Sequence, residues 1–413
     1  MKVSNGALIL PRKISRKIIS HYNYLAPHNV SAPTMKAIVY HGPQDIKFHH
    51  DYPEPQINHP DEVKVKIDYC GICGSDLKEI TLGPFFFNKP GSTNPISNMK
   101  FPMVMGHEIS GQVVGVGSNV GKLSVGDKVV VEVTGTCKDK TRFENSPSKD
   151  KPFCAACCDD YYNACDYLAL TGLGFSDGGC AEYLVTSKDK LVKYDANKIP
   201  PDVAALVQPL AVSWHAVGSV AHFQEGQSAL ILGGGPIGLT TIFALKGNKA
   251  GKIVVSEPAT ARRLLAEKLN VETFDPTGKS VEECIAALKD ISPDKRGFHH
   301  TFDCSGVPAT FETSIKCLRI RGIATNVAVW AHKEIPYSPM HTTMLEKVVT
   351  GSICFVKKDF VEVVNSIEAG DISIEELRLM ITDKIPLEEG IEKGFNELLY
   401  NKGNHIKILF ANG

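Results

Sequence analysis

The 413 residues are 43% hydrophobic and 22% charged, with a formal net charge of −1. That balance suits a soluble globular protein of two domains and excludes a nucleic-acid binder or a protein held to an acidic membrane by a global field. Twelve cysteines are too sparse for a secreted disulfide scaffold, and seven fall between Cys70 and Cys165 at spacings that suit metal, so a reducing compartment is expected.

Residues 1–34 carry Lys2, Arg12, Lys13, Arg16 and Lys17 and no acid. Leu10, Ile14 and Ile18 recur every fourth residue, which predicts a short basic amphipathic helix. The segment reads equally as a mitochondrial transit peptide, a disordered tail, or residues upstream of a start at Met35. The expected location is the cytoplasm, or the mitochondrial matrix if the segment is a transit peptide.

From Met35 to about Val133 short strands alternate with glycine turns. Lys36–Tyr40 opens a strand, and Val63, Val65 and Ile67 alternate with Lys64, Lys66 and Asp68, a period of two with one buried face. Ile109–Val116 and Val125–Val133 continue in kind, and residues 134–166 are polar, cysteine-bearing and irregular. Gly226–Leu245 has no charge but holds Gly233, Gly234, Gly235, Pro236 and Gly238, so a strand, a tight turn and a buried helix are expected there rather than a membrane span. Beyond it Ile253–Ser256, His300–Asp303 and Ile323–Val329 read as strands, with Ala261–Leu269, Val281–Leu288 and Phe311–Leu318 as the helices between them. Repeated βα units imply a parallel sheet covered by helices. The tail from about Phe360 adds helices and a last strand, Ile406–Phe410.

Gly233-x-Gly235-x-x-Gly238 follows a buried strand and opens a helix. The spacing allows a tight turn, a close approach of backbone to a pyrophosphate and close helix packing, with Pro236 and Ile237 at the helix start where free N–H groups face the phosphates. Glu257, 19 residues after Gly238, ends the next strand, where a carboxylate accepts hydrogen bonds from the adenosine ribose. Its charge would repel a 2′-phosphate, so NAD is expected over NADP. Arg262 and Arg263 follow on a helix; Arg262 is taken as a further cofactor contact.

Cys70-Gly-Ile-Cys73 after the alternating strand, and His107-Glu108 further on, supply a thiolate, an imidazole and an oxygen donor from separate segments, the make-up of an open catalytic zinc site. Cys137, Cys154, Cys157, Cys158 and Cys165 crowd a polar stretch, a density of cysteine hard to explain by unpaired thiols.

Tyr69-Cys-Gly-Ile-Cys-Gly-Ser-Asp76, Gly106-His-Glu108, Val125-Gly-Asp-Lys-Val129 and Leu232-Gly-Gly-Gly-Pro-Ile-Gly238 together resemble the zinc-dependent medium-chain dehydrogenase/reductase family, in matching order from Met35 onward. Asp202-Val-Ala-Ala-Leu206, Pro209-Leu-Ala-Val-Ser-Trp-His-Ala216, Phe302-Asp-Cys-Ser-Gly306 and Thr325-Asn-Val-Ala-Val-Trp330 are similar to its fungal 2,3-butanediol dehydrogenase branch, with polyol dehydrogenases next. The resemblance implies NAD and two zinc ions per chain, one of them a closed structural zinc held by Cys137, Cys154, Cys157 and Cys165, with Cys158 a spare that could replace Cys157. It implies Cys73 and His107 as catalytic ligands, Glu108 as a direct ligand or a carboxylate just behind, Asp76 as the group orienting His107, and Ser75 as the acceptor of the alcohol proton. Two positions depart from the family. Gln208 stands in a Gln-Pro-Leu where relatives have Glu-Pro-Leu, leaving it at best a weak ligand, and Lys78 replaces the histidine at the end of a proton relay.

The expected architecture is α/β. A β-rich, GroES-like catalytic domain spans 35–212 and 362–413, and a doubly wound Rossmann NAD domain spans 213–361. The expected activity is hydride transfer between a small secondary alcohol or diol and NAD, giving a ketone. The alternatives are a polyol or threonine dehydrogenase and, from another class, a non-catalytic NAD- and zinc-binding protein. Phe85, Phe86, Phe87 and Trp330 are candidates for an apolar pocket wall. No nucleic acid or membrane partner is expected, and a homo-oligomer, dimer or tetramer, is.

Overall fold

Alternation sets the first sheet: Val63, Val65 and Ile67 are fully buried in the strand Glu62–Gly71, while the lysines between them reach outward. In the computed structural model, which describes residues 33–89, 91–330, 334–401, 403 and 405–412, this strand is the hub of a seven-stranded sheet. On one side it pairs antiparallel with Glu108–Val116, which leads to Lys128–Val131 and Leu191–Lys193. On the other it pairs with Lys407–Ala411, from the far end of the chain, and that strand lies parallel to Ile381–Pro386. Tyr183–Ser187 also pairs with the hub. The basic helix expected around Leu10–Ile18 lies outside the described residues.

The second sheet has six parallel strands in the order Glu272–Phe274, Lys252–Ser256, Ser228–Leu232, Phe298–Asp303, Leu318–Asn326, Val348–Gly351. All five residues of Ser228–Leu232 are buried, as expected of a central parallel strand with helices over both faces. The strand sequence runs outward from the middle in both directions, so the strand order reverses between Ser228–Leu232 and Phe298–Asp303. In sheets of this kind the ligand crevice opens at that reversal, beyond the carboxyl ends of the strands. The helix Pro236–Gly247 continues from the central strand and packs on Val207–Trp214, which in turn packs on Lys357–Ala369.

The chain departs from the expected elements at their ends. Val125 is exposed in a turn that needs a positive φ at Gly126, so that strand is only Lys128–Val131. The helix expected at Phe311–Leu318 starts at Pro308 and stops at Lys316, and the following strand begins at Leu318 and ends at Asn326. Phe87 is core, stacked on Tyr40 with ring centroids 4.4 Å apart, whereas Phe85 and Phe86 are exposed. Among the described residues, no helix is long and apolar enough to cross a membrane.

Candidate active site and four-cysteine lobe

The hub strand ends in Cys70-Gly71-Ile72-Cys73, and its two cysteines part company. Cys70 is fully buried with Sγ 4.0 Å from Cys180 Sγ, a core contact. Cys73 is only partly buried and caps the helix Gly74–Leu82. The Asp76 carboxylate, 1% exposed, ties this turn to the next strand. Its Oδ2 accepts the Cys73 N–H at 2.9 Å, and its Oδ1 faces His107 Nδ1 at 3.3 Å without the geometry of a hydrogen bond. With its Nδ1 proton turned toward Asp76, His107 keeps the Nε2 lone pair for a ligand. Ser75 Oγ stands 3.1 Å from that Nε2.

Behind this group lies a buried ion pair. Lys407 Nζ donates to both oxygens of Glu108 at 2.7 Å and to the Ile72 carbonyl at 3.1 Å. Gly71 makes room for the carboxylate: a Cβ there would stand 2.1 Å from Glu108 Oε2. Burial by itself lowers the pKa of Lys407, but the charges of Glu108, Cys73 and Asp76 hold it above its usual value. His107 follows the same logic, with burial opposed and outweighed by Asp76 and Cys73. The Asp76 and Glu108 carboxylates and the Cys73 thiol converge here, and His107 Nδ1 and Asp76 Oδ1 are buried without a hydrogen bond. A divalent cation held by Cys73 and His107 fits that donor set.

The remaining expected residues of this group make other contacts or none with it. Lys78 Nζ donates to the Val329 carbonyl at 3.2 Å. Gln208 is buried on the helix Val207–Trp214, and among the described residues no hydrogen bond or ion pair ties it to Cys73 or His107. Lys407 was not anticipated. Its signal in the sequence is a lysine inside an otherwise apolar strand.

At the switch point of the parallel sheet the glycine loop takes the geometry a phosphate needs. Gly233 has φ +104°, and a Cβ on Gly238 would stand 1.8 Å from the Gly233 carbonyl oxygen. Glu257 is 4% exposed. Its Oε2 accepts the Gly234 N–H at 2.6 Å and its Oε1 the Ala259 N–H at 2.8 Å, so the carboxylate is aimed by backbone. Pro236 and Ile237 begin the helix whose cap is Gly235, and the guanidinium of Arg262 lies 3.9 Å from where a Gly235 Cβ would be. Arg263 turns back instead, onto the Glu257 and Pro258 carbonyls and the Asp275 carboxylate.

In the lobe, the ligand atoms of Cys137, Cys154, Cys157 and Cys165 lie within 4.8 Å of one another. Cys137 Sγ and Cys165 Sγ are each 3.7 Å from Cys154 Sγ. A tetrahedron with Zn–S bonds of ~2.3 Å has edges of about 3.8 Å, and the two edges at Cys154 match it. Backbone N–H groups of Cys137 and Tyr167 point at Cys165 Sγ, at 3.3 and 3.4 Å, and that of Cys154 at Cys137 Sγ, at 3.4 Å. Burial raises the Cys154 thiol, but backbone N–H groups of Asp166 and Cys157 outweigh it and bring it down to about 7. Cys158 is exposed and outside the cluster.

Lys407→Met leaves Glu108 buried and uncompensated and should cost about 3–5 kcal/mol in chemical denaturation, with Lys407→Met/Glu108→Gln losing less than the single change. An unaltered midpoint for Lys407→Met would show that the pair does not hold the sheet. Cys154→Ser should remove one zinc per chain by metal analysis and lower the melting temperature. A variant that retains full zinc and stability would count against a structural metal in the lobe.

Two family models match the chain: the alcohol dehydrogenase GroES-like domain over residues 59–198 and the zinc-binding dehydrogenase domain over 236–369. A probable diacetyl reductase [(R)-acetoin forming] of Saccharomyces cerevisiae is 47% identical over 91% of this chain and 90% of its own. The (R,R)-butanediol dehydrogenase of the same yeast is 46% identical over 91% and 98%. The crystal structure of 2R,3R-butanediol dehydrogenase from Bacillus subtilis superposes with a TM-score of 0.80 at 31% identity, covering 92% of this chain and all of that one. Two matching family models and relatives 46–47% identical over nine-tenths of the length leave one assignment: the chain belongs to the zinc-binding, medium-chain alcohol dehydrogenase family.

Proposed function

We propose that the chain interconverts a small secondary alcohol or vicinal diol with its ketone, of the 2,3-butanediol and acetoin kind, with NAD as the hydride carrier. The observation that carries this reading is the meeting of Cys73, His107 and Ser75 around one carboxylate, Asp76. The names of the yeast and bacterial relatives support the substrate class.

Zinc at Cys73 and His107 would supply Lewis acidity to the alcohol oxygen, and the nicotinamide ring would take the hydride. Asp76 keeps the His107 proton on Nδ1. Ser75 Oγ, beside His107 Nε2, is placed to accept the proton of the arriving hydroxyl. Oxidation then balances as alcohol plus NAD⁺ giving ketone, NADH and one proton, which leaves by way of Ser75. Lys78 would form the outer end of that path only after releasing the Val329 carbonyl. Glu108, held by Lys407, acts from behind His107 rather than as a direct ligand, and Gln208 is the weakest candidate of the set. The catalytic domain is assigned to 35–212 and 362–413 and the nucleotide domain to 213–361, a division supported by the pairing of Lys407–Ala411 with Glu62–Gly71.

NAD is favoured over NADP because the Glu257 carboxylate is fixed by two backbone N–H groups where a 2′-phosphate would lie. A homo-oligomer is favoured by the edge of the parallel sheet. Among the described residues Val348–Gly351 has a neighbour on one side only, and Val348, Ile353, Met340 and Met344 are exposed. All twelve cysteines are free, in keeping with a reducing compartment.

A panel of 2,3-butanediol stereoisomers, sorbitol, xylitol and threonine, read by NADH absorbance, should give its highest kcat/KM with a butanediol; a polyol or threonine in first place would overturn the substrate class. Glu257→Ser should raise activity with NADP relative to NAD, and a wild type that already prefers NADP removes the role given to Glu257. Val348→Lys should shift the mass in light scattering toward the monomer, whereas an unchanged assembly would place the interface elsewhere.

A further inference from the structure

The four-cysteine lobe reaches beyond its own thiols. Tyr162 and Asn163, in the short helix Tyr162–Ala164 between Cys157 and Cys165, touch the chain that follows the last strand of the parallel sheet. Tyr162 Oη accepts the Lys357 N–H at 2.5 Å. Asn163 Nδ2 donates to the Ile353 carbonyl at 2.9 Å and lies 3.2 Å from His215 Nε2. A carbonyl can only accept, so this amide atom is the nitrogen, and His215 Nε2 must accept from it. The imidazole therefore carries its proton on Nδ1, which donates to Asp359 Oδ2 at 2.9 Å. The same carboxylate oxygen takes the Val356 N–H at 2.7 Å, and Oδ1 takes the Ser219 hydroxyl at 3.4 Å.

Asn163, His215 and Asp359 are all more than nine-tenths buried. The arrangement leaves Asn163 Oδ1 buried with no partner, so the amide is oriented for its two donations at the expense of its acceptor. What those donations hold is one stretch of backbone, Ile353 to Lys357. This stretch leaves the carboxyl end of Val348–Gly351, the same sheet edge that carries the glycine loop after Leu232. Within it Cys354 is near enough to His107, Glu132 and Cys73 to feel their charges.

We infer that Asn163 and His215 are positioning residues through which the four-cysteine lobe fixes the backbone Ile353–Lys357 beside the reaction centre, so that cofactor binding and metal retention in the lobe are coupled. The inference rests on reading that sheet edge as the dinucleotide site. Linkage makes it reciprocal: if the lobe strengthens cofactor binding, the cofactor strengthens the lobe's hold on its metal by the same factor.

The test uses the full chain with its metals in place. Zinc release to a chromogenic chelator is followed with and without saturating NADH, and the phase that disappears in Cys154→Ser marks the lobe. NADH should slow that phase roughly five- to tenfold in the wild type. In Asn163→Ala and His215→Ala the protection should fall to about twofold or less, and NADH affinity, read by its fluorescence, should weaken by a similar factor. His215→Asn, whose amide can still donate to Asp359, should recover part of both. Tyr162→Phe removes a single hydroxyl and supplies the comparison if the His215 variants do not fold. Lobe zinc that leaves the wild type equally fast with and without NADH, or protection undiminished in both Asn163→Ala and Tyr162→Phe, overturns the coupling. Failure of the wild type to bind NADH at all is a separate result, and it removes the dinucleotide reading and this inference together.

Discussion

The buried pair of Glu108 and Lys407 is the constraint on which the catalytic half depends. Each group is almost fully out of water, where a lone charge is strongly unfavourable, and each satisfies the other through two bonds of 2.7 Å. One partner directly follows His107. The other begins the strand that closes the sheet from the far end of the sequence. The third donation of Lys407, to the Ile72 carbonyl, fixes the turn that presents Cys73. Position of the imidazole, position of the thiol and docking of the last strand are thus one event.

Asp76 adds the finer adjustment. Its two oxygens address Cys73 and His107 separately, so the spacing between thiolate and imidazole is set by a single side chain on the first turn of a helix. The nucleotide half uses the same device in Glu257, whose two oxygens are aimed by the glycine loop and by the start of the next helix. In both halves a buried carboxylate ties its own turn to a distant one. Each is costly to bury unless every oxygen finds a donor or a cation, which is why such groups mark where a ligand belongs.

The parallel sheet was legible because its strands are continuous apolar runs bounded by glycine and acidic residues, and the strand expected ahead of the glycine loop stands at Ser228–Leu232. The hub strand was legible through its alternation. The thiols of the lobe were legible from spacing, since four cysteines in a polar loop have few other uses. Element ends were less so, because Gly126 and Pro308 act through dihedral angles that periodicity does not report. The role of Glu108 needed its partner nearly three hundred positions away, and nothing in the local pattern around Lys407 names that partner. Asn163 and His215 were hidden for the same reason. Both sit in short irregular helices, and their meaning appears only when lobe, helix and sheet edge meet.

The closing strand also imposes an order on synthesis. A chain emerging amino end first can complete the parallel sheet once Val348–Gly351 has appeared, with no later strand needed to finish it. The first sheet cannot do the same. Tyr183–Ser187 covers the first part of Glu62–Gly71, but its Tyr69–Gly71 end stays open, and Glu108 without its counter-charge, until Lys407–Ala411 has left the ribosome. Through most of translation the earliest-made half is therefore the less finished one, with an apolar strand edge available to wrong partners. The turn that presents Cys73 is completed by a strand made long after it.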